Sequence, residues 1–224
     1  MKFIDYLQEQ FPTLALVPSI YNQWNTGIHF TLGGPIYQFN ENGELNLEMF
    51  ELVYKQTIQI FNELFDQTDD IFLVTNVYKN KTNQKRTNRL KVYKPFIKNR
   101  MYLNQIQVKT LPYPFEVNEG EEYEMQQFSL LCKPCDLRIT ELLKAACNED
   151  FPLKPRYGGY PINYPDVFFV NVTKDIIFFV YDDRGCEVIA LNLEQLLPLY
   201  EKYYDWIEKV DRQKFEQVLT GREM

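Results

Sequence analysis

Apolar positions along the chain alternate between helical and strand spacing, and the switches between the two outline the elements. Phe3, Ile4, Leu7 and Phe11 recur at helical spacing before Pro12, which predicts a short amphipathic helix at the start. Ile28 to Leu32 reads as a strand broken by Gly33-Gly34-Pro35, with Ile36 to Phe39 as its hairpin partner and Asn42-Gly43 as the closing turn. Asn46 stands where a cap belongs for a helix from about Leu47 to Phe65, whose stripe is Phe50, Val53, Tyr54, Ile58, Phe61, Leu64 and Phe65. Asp69-Asp70 then separates that helix from IFLVTNVY, a β-branched and aromatic strand, so the chain opens as β-α-β.

Further on, Gln105 to Thr110 alternates until Pro112 and Pro114 stop it, and Met125 to Leu131 is another strand. Asp136 is placed to cap a helix with the stripe Ile139, Leu142, Leu143 and Ala146. Residues 152–165 hold four prolines, two glycines and three tyrosines, which predicts an irregular loop. Val167–Val172, Ile176–Tyr181 and Cys186–Leu191 follow as a three-stranded antiparallel meander. Asn192 and Gln195 have capping-box spacing ahead of a helix with the face Leu193, Leu196, Leu197, Tyr200, Tyr203, Tyr204 and Ile207, and Asp211 caps a last helix that ends at Gly221. The expected fold is α+β: a mixed, mostly antiparallel sheet with helices 47–65, 136–147 and 194–208 packed on it. It forms one domain, or two packed halves spanning 1–115 and 125–224.

Composition narrows the class. With 224 residues, 45 % hydrophobic and 16 % aromatic, the chain can bury a core without disulfides or metals. The longest apolar run, Ile176–Tyr181, is far shorter than the ~20 residues a spanning helix needs. No secretion signal is visible and only four cysteines occur, so a cytoplasmic protein with no membrane segment is expected. Charge is segregated: residues 79–100 carry nine of the 24 Lys and Arg and no acid, leaving 15 basic residues against 31 acidic ones elsewhere. Overall acidity opposes general nucleic-acid affinity, and the glutamates of 116–124 offer that basic run an internal counter-charge. A solvated hairpin or a protein-binding surface is the reading for 79–100, ahead of nucleic acid.

A compact polar motif, Asp182-Asp183-Arg184-Gly185, is set between apolar strands. Asp at the first and Gly at the fourth position are the signature of a type I turn, with the carboxylate accepting an N–H two residues on and Gly185 free to take positive φ and form a bulge. A divalent cation would need several further oxygen ligands, which no part of the sequence can be assigned to supply, so no metal is expected. Adjacent strand residues point to opposite faces, which makes the two aspartates a poor acid/base dyad.

YDDRGCEVIA, followed by LYEKYYDWI, resembles the C-terminal signature of a family of uncharacterised bacterial proteins, the domain-of-unknown-function family 3885. The likeness covers roughly residues 136–211 and includes a helix leading into Asp150-Phe151. It implies no activity, but it implies that Tyr181, Asp182, Asp183, Arg184, Gly185, Asp205 and Trp206 form one unit. The expected geometry has the turn folding back on the long helix, with Arg184 pairing with Asp205 or stacking on Trp206.

Cys132-Lys133-Pro134-Cys135 lies where a strand meets a helix start, a place that depresses a thiol pKa, and resembles the thioredoxin-family redox motif, as Pro165 resembles its cis-proline. The 30 residues from Cys135 to Pro165 cannot hold the helix, strand and second helix of that family. Cys147 and Cys186 lack zinc-ligand spacing. His29, the single histidine, stands in an apolar strand as a hydrogen-bonded structural residue. No phosphate or dinucleotide loop occurs and no cofactor is expected. The functional expectation is therefore a non-enzymatic protein-binding module, with an immunity-type protein that neutralises a bacterial toxin as one form of it. The alternative is a thiol-disulfide oxidoreductase using Cys132 and Cys135.

Overall fold

The computed structural model describes residues 1–82, 93–115, 122–157 and 164–221. The basic run 79–100, the glutamate-rich loop and the Pro/Tyr loop fall partly outside the described residues, at 83–92, 116–121 and 158–163. Where these segments are described, Lys79 lies 3.8 Å from Glu124, which brings the basic and acidic stretches together.

Among the described residues seven strands form one sheet, antiparallel throughout, in the order β1-β7-β6-β5-β2-β4-β3. They are β1 (Gly27–Thr31), β2 (Ile71–Asn80), β3 (Gln107–Pro112), β4 (Tyr123–Cys132), β5 (Asp166–Asn171), β6 (Ile176–Asp182) and β7 (Gly185–Ala190). Helices cover both faces, so the protein is α+β.

The period-2 alternation of the central strands divides their side chains between two cores. Ile71, Leu73, Phe169, Ile176, Phe178, Val180, Cys186 and Val188 point to one face. There they meet α3 (Leu47–Leu64), α4 (Ile139–Cys147) and α5 (Leu197–Lys202). Phe72, Val74, Phe168, Val170, Ile177, Phe179 and Ile189 point to the other. That face is covered by α1 (Phe3–Gln10) and the segment through Leu14 and Leu16 to α2 (Ile20–Gln23). Burial on both sides is why IIFFV reads as continuously apolar.

Several expectations meet a different geometry. Ile36 to Phe39 does not pair with β1; Phe39 forms only an isolated bridge with Leu45. The Gly33-Gly34 reversal is present, with φ of +78° and +58°, but it turns the chain away from the sheet. β1 instead pairs with β7, from Gly27 opposite Ile189 to Thr31 opposite Gly185.

The single helix expected over 194–208 is a succession of shorter pieces: a 3-10 turn at Leu193–Gln195, then α5, then a 3-10 turn at Tyr204–Trp206. Pro198 has no N–H to continue a helix begun at 194, so a new helix starts with the proline in its first turn. The capping box does not close either: Gln195 Oε1 takes no hydrogen bond from the Asn192 N–H, and the amide is turned so that Nε2 donates to the Lys174 carbonyl. Asp136 accepts from the Lys133 N–H at 2.9 Å and closes a 3-10 turn of its own, so α4 begins later, at Ile139. Asp211 lies inside the first turn of α6 (Lys209–Thr220) rather than capping it. Asn46 does cap α3, accepting from the Met49 N–H.

Candidate functional site

The β6–β7 hairpin is built by its turn chemistry. Asp182 Oδ1 accepts the Arg184 N–H at 2.7 Å, and Asp182 Oδ2 accepts from Arg184 Nε at 2.9 Å as well as from Nη2. Asp183 and Arg184 keep negative φ, so this is not one of the primed turns that match strand twist unaided. The mismatch is absorbed by a bulge at Tyr181: Val180 pairs with Cys186, Asp182 with Gly185, and Tyr181 is the extra residue. Gly185 does not take positive φ, as turn signatures suggest, and it is not the bulge. Its requirement is space, since a Cβ there would lie 2.0 Å from Tyr181 Oη and 2.5 Å from the Phe30 carbonyl.

The bulge aims Tyr181 across the sheet. Strand alternation puts Tyr181, Glu187 and His29 on the face that α1 covers, but beyond the reach of that helix. α2 and α6 close round the gap and leave a pocket of about 550 Å³ lined by Tyr21, His29, Glu149, Asp166, Tyr181, Asp182, Arg184, Glu187 and Asp211, among others. His29 is its hub: Nδ1 lies 2.9 Å from Asp211 Oδ2 and Nε2 2.9 Å from Tyr181 Oη. In the neutral ring the carboxylate can only accept, so Nδ1 carries the proton and the Tyr181 hydroxyl donates to Nε2. Tyr21 Oη donates to Asp211 Oδ1 at 3.1 Å, and the Tyr21 N–H donates to Glu187 Oε2 at 3.3 Å. The Tyr21, His29 and Tyr181 rings follow one another at centroid spacings of 5.9 and 5.8 Å.

Electrostatically the pocket is acidic, with five carboxylates against Arg184 and His29. Burial, reinforced by Asp166, Asp150 and Asp182, pushes Glu149 up to about 8. Burial pushes Asp166 to about 7, opposed by the hydroxyl of Tyr78. Glu187 is raised by burial against the Tyr21 N–H and His29, and Asp183 is raised by burial although Gln38 donates to it at 3.0 Å. The Tyr181 phenol is also raised, by burial and then Asp182. Asp166, Asp182, Glu187 and Asp211 each receive a hydrogen bond. Among the described residues no side chain donates to the Glu149 carboxylate or pairs with it; Arg156 instead donates to the backbone carbonyls at the end of α4. No group of three or more His, Cys, Asp or Glu among the described residues is arranged to hold a metal.

The residues singled out in the sequence separate into three places. Tyr181, Asp182 and Arg184 line the pocket, while the buried Asp183 faces away toward Gln38. Asp205 and Trp206 do not meet Arg184: Trp206 stacks on Tyr203 at 4.4 Å, and both line a separate groove with Arg212. The short Asp182 carboxylate, two residues away, captures the guanidinium before it can reach the helix. Cys132 and Cys135 are free thiols. Cys132 is buried, and burial with Asp136 pushes it up to about 12, the reverse of an attacking thiolate. The one-turn 3-10 helix at Pro134–Asp136 stands where a helix N-terminus was expected.

His29, Glu187, Asp166, Asp211 and Glu149 escaped notice as a group. A single ionisable residue inside an apolar strand was the available signal, shown by His29 in GIHFT and Glu187 in GCEVIA. Their meeting depends on the β1–β7 pairing.

No helix among the described residues is long and apolar enough to cross a membrane. No solved structure matches the chain. The uncharacterized protein YnaE of Bacillus subtilis (strain 168) is 68 % identical over 209 residues, covering 93 % of this chain and 98 % of that protein. The family described as Domain of unknown function (DUF3885) matches residues 3–211, more than the C-terminal stretch that carried the resemblance. This chain belongs to the DUF3885 family, to which no function is attached.

Proposed function

We propose that the protein is a cytoplasmic, non-enzymatic binding protein whose acidic pocket receives a basic side chain of a protein partner. An immunity-type protein, holding a basic toxin domain out of action, is one such arrangement. The carrying observation is the convergence of five carboxylates on one pocket whose single guanidinium, Arg184, is already engaged by Asp182, while both ring nitrogens of His29 are taken up by Asp211 and Tyr181. An incoming guanidinium would find Glu149 without a donor among the described residues and a row of aromatic rings to lie against. A binding role is also favoured by the raised Tyr181 phenol and Cys132 thiol, since activation as a nucleophile calls for a lowered pKa.

The test is calorimetric titration of the full chain with N-acetyl-arginine amide and its citrulline counterpart, at pH 8.5 and low salt. Binding of the arginine compound alone, weakened by Glu149→Gln, supports the reading. Equal binding of the two, or binding of neither, refutes it.

A further inference from the structure

The acidic pocket does not end at Arg184. The same side chain forms one wall of a second groove, about 360 Å³, lined by Thr31, Gly34, Pro35, Ile36, Tyr37 and Met49. This groove lies under the loop that was expected to be a strand, and its apolar side chains are turned outward. Tyr37 is 79 % exposed and Ile36 39 %, with Phe39 and Leu47 also exposed nearby.

The exposure does not come from a slack loop. The Gly33 N–H donates to Gln56 Oε1 at 2.8 Å, the Asn46 N–H donates to the Gln38 carbonyl at 2.8 Å, and Gln38 Nε2 donates to the buried Asp183. Phe39 rests edge-on against Phe151 at 5.9 Å. Apolar groups held outward on a tied loop present contact area whose ordering cost was met on folding, the usual make-up of an interface anchor.

We infer that Ile36 and Tyr37 form a docking surface continuous with the acidic pocket, and that its occupant is a segment of a protein partner carrying a basic side chain beside an apolar one. The basic side chain enters the acidic pocket and the apolar one lies on Tyr37 across Arg184. This rests on the proposed cation-receiving role of the pocket and adds the partner's second determinant. Charge selects that occupant over a symmetric pair of copies of the chain, because such a contact would set two acidic pockets against each other.

The probes are fluorescein-labelled Gly/Ser peptides with one arginine and one leucine placed one to four residues away, each paired with a leucine-to-serine version. Fluorescence anisotropy with the full chain is expected to show at least one leucine peptide binding about tenfold tighter than its serine partner. Tyr37→Ser and Ile36→Ser, both at exposed positions, are expected to erase that difference while leaving N-acetyl-arginine amide binding unchanged. A leucine preference that survives both substitutions, or no leucine preference at any spacing, overturns the inference. Concentration-dependent self-association that Tyr37→Ser abolishes also overturns it, in favour of a second copy. If the inference fails while the arginine amide still binds, the pocket reading stands alone; if the arginine amide does not bind, both fall.

Discussion

Gly185→Ala probes how the hairpin, the bulge and the pocket are joined. The added methyl group would lie 2.0 Å from Tyr181 Oη, 2.7 Å from its Cζ and 2.5 Å from the Phe30 carbonyl oxygen. The tyrosine can swing away only by giving up its bond to His29, which costs about 1–2 kcal/mol. The carbonyl belongs to the strand opposite and can yield only by moving β1 against β7, an overpacking cost of about 1–3 kcal/mol. Together these predict a loss near 3 kcal/mol, or a Tm fall of roughly 6–12 °C for a chain of this size. Urea unfolding followed by tryptophan fluorescence, with the m-value checked for constancy, measures it. Gly34→Ala is the control: it has a φ of +58° but nothing within 4 Å of the new methyl, and should lose only about 1 kcal/mol. Because Tyr181→Ala vacates the ring's place, the double variant should lose less than the sum of the single ones. A Gly185→Ala loss no greater than that of Gly34→Ala would show that close packing over the turn is not what demands glycine.

Binding of N-acetyl-arginine amide should strengthen as pH rises through about 8 and release protons, because Glu149 near 8 must ionise to face a cation; buffers of different ionisation enthalpy reveal this in calorimetry, and a flat profile refutes it. Burial raises the Asp69 carboxyl, but the Asp66 N–H, Asn171 and Lys174 outweigh it and hold the group below its ordinary value. Its contribution is therefore present above that value and lost as pH falls through the lower folded-state one, so Asp69→Asn should cost about 2 kcal/mol at pH 7 and flatten acid unfolding below pH ~4. Iodoacetamide should modify Cys135 alone in the native protein and all four cysteines in denaturant, read by mass; prompt native labelling of Cys132 would revive the redox alternative. Phe178→Ala, at a fully buried ring between Phe61, Phe65 and Phe169, should cost about 3–5 kcal/mol in urea unfolding.

Elements that answer to local rules were legible in the sequence. The stripe from Phe50 to Phe65 and the Asn46 cap marked α3 nearly to the residue, and the apolar runs with their turn residues marked the meander. What failed was partnership. The alternation in Ile28–Leu32 identifies a strand but not its neighbour, and the nearby turn signal pointed to a hairpin when the true partner was β7. The site shares this property. Asp182 satisfying the Arg184 N–H is a contact across two residues and could be read directly. His29 meeting Tyr181 and Asp211 spans most of the chain and could not. For Arg184 the expected partners, Asp205 or Trp206, were distant ones, when a nearer carboxylate, Asp182, was at hand.

The pairing of Thr31 with Gly185 also bears on how the molecule is made. At ordinary translation rates the nascent β1 leaves the ribosome on the order of ten seconds before its partner is synthesised. Ile28 and Phe30 spend that time without the ladder that later buries them, as does β2 before β5 appears. Early collapse can gather α3 onto β2, but the acidic pocket exists only after the last third of the polypeptide has emerged and threaded β7 into place, making completion of that pocket a late event of biogenesis.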